Sequence, residues 1–390
     1  MKKLLVVTGV IAVVIVSYLA FTAVAPTTTA PQALAAGKVY KATVYVAGMG
    51  GHFAKSDVTI DPSNAQEPIA VANLDKVDIG DKKTHPTHDA RIDAQDANTL
   101  FWSTYTLDTT NPSGTVMHVG KSDLKTGKVV TDVALTPDAR SSAAKSPLYC
   151  ASGQSKKYFM PVFMGQEGYV DVFDKKTMEH KHRIWVSDIG YAKGTYKFTH
   201  GVNSPNMKMF ALAINQAKEG KGTGDVDVIL LDLPSMEKGK FKVLGKATFK
   251  GEPDKTITFR EYFTNDSKYL LQSAGDRLWV IDVRNPKKMK LVDEKMMPAG
   301  SQIHDAMPTP DNKYALLTVR SVTEGCDTEG KAIVKDGKTV DITDGTLMLY
   351  DAKAKKVYEK STSTCLACHK GMGLGDKNAV LCGLDATYKK

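Results

Sequence analysis

His304-Asp305-Ala306-Met307-Pro308-Thr309-Pro310-Asp311-Asn312-Lys313-Tyr314-Ala315-Leu316-Leu317-Thr318-Val319 carries the fold of this chain. It opens on a polar His-Asp pair, passes through a turn of Pro, Asp and Asn, and ends in an apolar run. Pro presets φ, and Asn or Asp tolerates the left-handed backbone that a tight turn needs. The aromatic, aliphatic and β-branched residues that follow suit a pleated strand. The order recurs. His200-Gly201-Val202-Asn203-Ser204-Pro205-Asn206 leads to Met209-Phe210-Ala211-Leu212-Ala213-Ile214, and Arg260-Glu261-Tyr262-Phe263-Thr264-Asn265-Asp266-Ser267 leads to Tyr269-Leu270-Leu271. His88-Asp89-Ala90 leads to Thr99-Leu100-Phe101-Trp102, and Cys150-Ala151-Ser152-Gly153 leads to Tyr158-Phe159-Met160-Pro161-Val162-Phe163.

Each copy continues into a second strand, as in Leu278-Trp279-Val280-Ile281-Asp282, then a Lys-rich turn and a short outer strand such as Lys290-Leu291-Val292. Strands alternate with turns and no 3.6-residue period intervenes, which is an all-β pattern. His88 to His200 spans 112 residues and His200 to His304 spans 104, each two units of a repeat near 50. Radial repetition at that period predicts a β-propeller. Six starts predict six blades, with seven as the alternative and long loops near 110–114, 216–224 and 324–341. The sixth start is read at His369, running into Ala379-Val380-Leu381-Cys382. The N-terminal strands around Thr43–Ala47 and Asp57–Ile60 would complete that last blade, so both termini close the ring.

Cys365-Leu366-Ala367-Cys368-His369 is a C-x-x-C-H sequence, the attachment pattern of a c-type haem. Two thiols add to the porphyrin vinyl groups and the adjacent His supplies the proximal nitrogen to iron. A zinc knuckle would need a second ligand pair at similar spacing, and a redox C-x-x-C would need a βαβ context. Neither is present. Met372 is three residues from the proximal His, so it is poorly placed to reach the opposite ring face. Only 21 residues follow His369, too few for a separate cytochrome domain, so the haem is expected to pack against the propeller.

Lys2 and Lys3 precede an uncharged apolar run from Leu4 to Ala25, and Ala33-Leu34-Ala35 offers a small-x-small cleavage site. Residues 1–35 therefore read as a secretory signal, with an uncleaved anchor as the alternative, since ~20 apolar residues span a bilayer. Residues 36–390 form the propeller, placed in the periplasm or outside the cell. Without residues 1–35 the chain holds 50 Lys+Arg against 43 Asp+Glu, a mild and dispersed positive charge. Clusters such as Lys287-Lys288-Met289-Lys290 lack an aromatic platform, which argues against nucleic-acid binding. A membrane enters only if the N-terminal segment stays uncleaved.

The repeat, with its polar start and Ser/Thr-Pro-Asp-x-Lys-Tyr turn, resembles the propeller superfamily that includes surface-layer repeat propellers, d-haem nitrite reductases and nitrous oxide reductases. The likeness covers about residues 40–390. It implies a propeller whose axis handles electrons and small inorganic or amine substrates. The separate cytochrome domain of the nitrite reductases is missing here, as are the many His and the copper-binding Cys domain of the nitrous oxide reductases. Those activities do not carry over.

If the repeat register holds, His88, His200 and His304 share with His369 the blade-start position that faces the channel. They are candidate distal haem ligands or ligands of a second metal such as copper, because neutral imidazole suits iron, copper and zinc. The competing role for each is a structural hydrogen bond. His85-Pro86-Thr87-His88 has metal-pair spacing but reads as a turn, His180 and His182 read as a solvated strand, and His52 could reach the channel from the closing blade. Arg260 and Glu261 would flank a small substrate in an enzyme. Cys150, Cys326 and Cys382 permit one disulfide, in any of three pairings. The expected function is an exported monohaem c-type cytochrome on a propeller, exchanging electrons with a partner protein or a small substrate. The alternative is a binding propeller with structural or absent haem.

Overall fold

Six antiparallel sheets stand around one axis in the computed structural model, which describes residues 38–48, 50–141, 149–324, 334–339, 341–360, 362–363 and 383–389. Blade I pairs Leu384–Tyr388 with Tyr40–Ala47, His52–Ile60 and Ile69–Asp78, innermost strand first. Blade II runs outward through Thr87–Ile92, Thr99–Thr104, Met117–Asp123 and Lys128–Leu135; blade III through Tyr149–Gln154, Tyr158–Phe163, Tyr169–Asp174 and His180–Trp185. Blade IV holds Tyr196–Asn203, Met209–Lys218, Lys221–Asp232 and Val243–Phe249; blade V holds Glu261–Phe263, Tyr269–Ser273, Arg277–Asp282 and Lys290–Met296. Blade VI comprises Gln302–Pro308, Tyr314–Glu324, Asp341–Asp351 and Lys356–Val357, with Thr362–Ser363 also paired to its third strand.

The count is six, not seven, and the hydrophobic core shows why the ring closes there. Six apolar clusters each join two consecutive blades. Phe101, Met117 and Val119 of blade II meet Tyr149, Phe159 and Phe173 of blade III. Leu316, Leu347 and Leu349 of blade VI meet Ala42, Val44 and Val58 of blade I. That last cluster leaves no gap for a seventh blade.

The repeated turn has a common physical form. Thr309, Thr264 and Ser204 each use the side-chain hydroxyl to donate to the carbonyl of the residue five positions on, and accept from its amide. The fourth residue of each turn, Asn312, Ser267 or Met207, takes a positive φ near 60°. A hydroxyl bracket at a fixed offset is thus what the sequence repeat encodes.

Two expectations change. The stretch near 216–224, expected as a loop, extends a blade, and of the described part of 324–341, Glu324 and Asp341 pair in blade VI while Val334–Lys335 and Lys338–Thr339 form a small hairpin of their own. Met209–Lys218 and Lys221–Asp232 form a long hairpin around Glu219 and Gly220, whose φ values of 52° and 76° make the two-residue turn that follows strand twist. Tyr314–Glu324 and Asp341–Asp351 pair along all eleven residues. The inner strand that closes blade I is Leu384–Tyr388, paired from Val46↔Leu384 to Ala42↔Tyr388, while the run from Ala379 to Cys382 lies outside the described residues. Closure by both termini holds. No helix among the described residues is long and apolar enough to cross a membrane.

Candidate functional site

The inner strands are irregular at one level. The pairing shifts by one residue between Thr87 and Ala90, Cys150 and Gly153, Tyr196 and Thr199, and Ile303 and Asp305. In a regular strand neighbouring side chains point to opposite faces. A bulge breaks that alternation and re-aims a side chain. At the blade II bulge the sequence neighbours His88 and Asp89 therefore contribute to the same place.

The structure brings His88, His200 and His304 together there. The His88 and His304 rings lie 6.2 Å apart and those of His200 and His304 6.3 Å apart, centre to centre. All three are buried. With Tyr105, Phe198, Ile257, Phe259 and Arg320 they line a cavity of about 190 Å³ at the end of the axis where the inner strands begin. Arg320 lies against the Phe259 ring and donates to Gln302 Oε1 at 3.1 Å.

Beneath this cavity sits a charged layer. Arg260 is wholly buried, and its two terminal nitrogens donate to the carbonyls of Leu384 at 3.0 Å and Ala90 at 2.8 Å. Asp305 and Asp89 stand 3.7 and 3.9 Å from it. His88, Arg260 and His304 surround the Asp89 carboxylate, and the Cys150 thiol bonds to it. Gly383 fills the remaining space: a Cβ there would fall 2.0 Å from Asp89 Oδ1. Only a glycine allows the closing strand this close to Asp89.

Burial and charge sort the protonation states. Burial raises the Asp89 pKa, but the neighbouring His88 and Arg260 outweigh it and hold the carboxyl well below the usual range. Burial pushes Asp305 up despite the guanidinium beside it, and raises Glu261 as well. Two adjacent acids in one apolar site cannot both ionise cheaply, so their values separate. Burial drives His200 and His304 well down, His304 with help from Arg320. Both imidazoles are neutral at physiological pH, the state in which a ring nitrogen can bind a metal.

The other candidates fall elsewhere. His85 is separated from His88: it stacks 4.1 Å from the His118 ring, and its nitrogens contact Thr84 and Asp132. His180 and His182 lie on the outer strand of blade III, His180 bonded to Asp171. His52 opens the third strand of blade I and does not line the axial cavity. Arg260 and Glu261 do not line it either. Arg260 is drawn into the layer below by two carbonyls and two acids, so the expectation that it flanks a substrate is corrected. The haem motif Cys365, Cys368, His369, together with Met372, Cys326 and Cys382, lies outside the described residues, and Cys150 is buried.

Sequence reading missed Asp89, Asp305, Phe259 and Arg320. A signal for the two acids was available: His88-Asp89-Ala90 and His304-Asp305-Ala306 are the same triplet.

No protein-family model matches the chain, and no curated protein matches it. Solved structures do resemble it. Hydrazine synthase of Kuenenia stuttgartiensis aligns at 12% identity over 71% of this chain and 74% of that one, with a TM-score of 0.43. A functionally unknown protein from Desulfotomaculum acetoxidans aligns at 11% identity over 88% and 99%, also at 0.43. The β-propeller domain of Cps50 (Swd1) from Myceliophteria thermophila aligns at 12% identity over 71% and 86%, at 0.38. The assignment of the fold rests on the ring of six sheets itself.

Proposed function

We propose that this chain is an exported c-type cytochrome built on a propeller, carrying one haem on Cys365 and Cys368 with His369 as proximal ligand. It exchanges single electrons with a partner protein or with a small molecule in the axial cavity. The observation that supports this most is where the described residues flanking the motif are fixed. Ser363 pairs with Thr346, which pairs with Val319, which pairs with Ile303. That row crosses blade VI at the level of His304, and Ser363 is two residues before Cys365. At the other flank, the Gly383 amide donates to the His88 carbonyl at 3.2 Å. The first flank thus lies at that level on the outer side of blade VI, and the second is tied to the end of the axis where the three buried histidines converge.

The donor set fits a redox centre at that end. His304 Nε2 and His200 Nδ1 are buried with no hydrogen-bond partner among the described residues. Bound haem supplies one-electron chemistry and a tunable potential. This chain's own residues supply the surroundings. Phe198 and Phe259 make an apolar wall that lowers the local dielectric, and Arg320 gives the cavity one fixed cation, favouring a small anionic guest. A cavity of about 190 Å³ is smaller than the ~300–1,000 Å³ that holds a drug-sized ligand, so it suits a guest of a few atoms.

The test is the intact mass of the exported protein made with haem-attachment machinery. One haem added to the chain, abolished in a Cys365→Ser/Cys368→Ser variant, is the expected result. An unmodified mass would overturn the reading and leave a propeller that only binds.

A further inference from the structure

From the side chains at the axis we infer a second, non-haem metal site in which His88, His304 and Asp89 hold one divalent first-row transition ion. The potential ligand atoms of the three all lie within 4.8 Å of one another, and all three residues are buried. A tetrahedral ion with bonds of ~2.1 Å would set its ligands roughly 3.4 Å apart. The side chains therefore need to close in by roughly 1.4 Å at most.

The orientation of both rings favours coordination. His88 Nδ1 is engaged by the Tyr149 carbonyl, with Asp89 Oδ2 at 3.3 Å, which leaves Nε2 as the ligating nitrogen. His304 Nδ1 faces Asp305 Oδ1 at 3.4 Å, and its Nε2 has no partner among the described residues. Metal-bound histidines are held this way, the far nitrogen donating to a carbonyl or carboxylate that fixes tautomer and ring plane. Asp305 is itself pinned by the Leu384 amide. Asp89 adds the anionic ligand. Its charge is balanced only at a distance, by His88 Nδ1 at 3.3 Å and Arg260 at 3.9 Å, and a cation between it and the two imidazoles would balance it directly.

Two neutral nitrogens and one carboxylate suit zinc, iron(II) or copper(II), and they leave coordination positions open. Those positions face the cavity, where Arg320 and His200 stand. The ion would hold a small anion against Arg320 and act on it as a Lewis acid or redox centre. This site is distinct from the haem attachment: its three ligands are side chains outside Cys365–His369, and a cavity of about 190 Å³ is too small for a porphyrin.

The competing cluster, His85, His118 and Asp132, is already satisfied. His118 contacts Asp132 and Asp108 through its two nitrogens, and His85 contacts Thr84 and Asp132. It therefore serves as the control.

The experiment uses full-length exported protein without a polyhistidine tag, stripped with chelator and equilibrated with cobalt(II). Elemental analysis after dialysis reads cobalt, which haem iron does not obscure. One cobalt per chain is expected, both in the wild type and in the haem-free Cys365→Ser/Cys368→Ser variant. Affinity should fall at least ten-fold in His304→Gln and in Asp89→Asn, and hold in His118→Gln. Should one of the first two variants fail to fold, the other and the wild-type stoichiometry decide. No stoichiometric uptake by the wild type, unchanged affinity in a folded His304→Gln or Asp89→Asn, or loss in His118→Gln would each overturn the site. The haem is read separately by mass, so the two assignments fail independently.

Discussion

Arg260 shows how a single residue can be read correctly as special and wrongly as to role. Its place beside Glu261 at a blade start marks it as channel-directed, and sequence carries no sign that the Leu384 carbonyl would lie 124 positions away yet 3.0 Å from its guanidinium. Burial lowers its pKa, but Tyr262, Asp305 and Asp89 more than compensate, so it stays charged. The consequence is testable by Arg260→Met. That change removes the cation from beside Asp89 and Asp305 and takes one donor each from the Leu384 and Ala90 carbonyls. Removing one partner of a buried ion pair costs about 3–5 kcal/mol. Denaturant unfolding should show a loss of that size. A variant within 1 kcal/mol of wild type would mean that solvent reaches the layer. Asp89 and His304 were half legible for the same reason. The His-Asp-Ala triplet marks them, but only the bulge brings neighbours His88 and Asp89 to one site, and no side-chain pattern announces a bulge.

At the scale of the element, the turns were legible and the strand lengths were not. A hydroxyl five residues before its partner amide is a local device, written in consecutive residues. Glu219-Gly220 reads as loop by composition, and becomes a tight hairpin only because Lys218 and Lys221 pair across it. Blade II carries a second local device in His118, Asp132, Asp108 and His85. Burial lowers the His118 pKa, but the carboxylates of Asp132 and Asp108 outweigh it and raise it. Burial raises Asp132, but its bonds to His118 and His85 pull it down. A raised histidine contributes stability that is complete below its unfolded value, about 6.5, and is lost as pH rises through the folded value. A depressed carboxyl contributes above its unfolded value, about 3.9, and loses that as pH falls. The pair is therefore worth most between about pH 4 and 6.5. His118→Gln should cost most stability near pH 5.5 and progressively less toward pH 9 by chemical denaturation. A cost that does not change with pH would show that His118 acts only through packing.

For the whole molecule, the decisive feature is that the last strand in sequence is the first strand of the ring. Blade number and closure were legible because period and edge protection are global properties of the chain. The partners of the closing strand were not, because Leu384–Tyr388 meets Arg260, Tyr262 and Asp305 from blades far away in sequence. That strand does three things at once. It pairs with Tyr40–Ala47 through five residues, it offers the Leu384 carbonyl to Arg260 and Tyr262, and it presents the Leu384 amide to Asp305. Deleting residues 384–390 should therefore do more than fray an end. It exposes the inner edge of blade I, opens the blade VI–blade I cluster that contains Leu384, and takes from the buried Arg260 guanidinium one of its two carbonyl partners. Loss of the cooperative thermal transition is expected, together with rapid proteolysis of Tyr40–Ile60. Deleting Lys389 and Lys390 alone is the control. It removes one backbone bond to Lys41 and a surface ion pair with Asp57, a pair worth roughly 0–1 kcal/mol. The short truncation should melt within a few degrees of wild type while the long one does not fold. Equal melting of the two would mean that five blades and a partial sixth suffice, and that the ring is not held shut at Leu384–Tyr388.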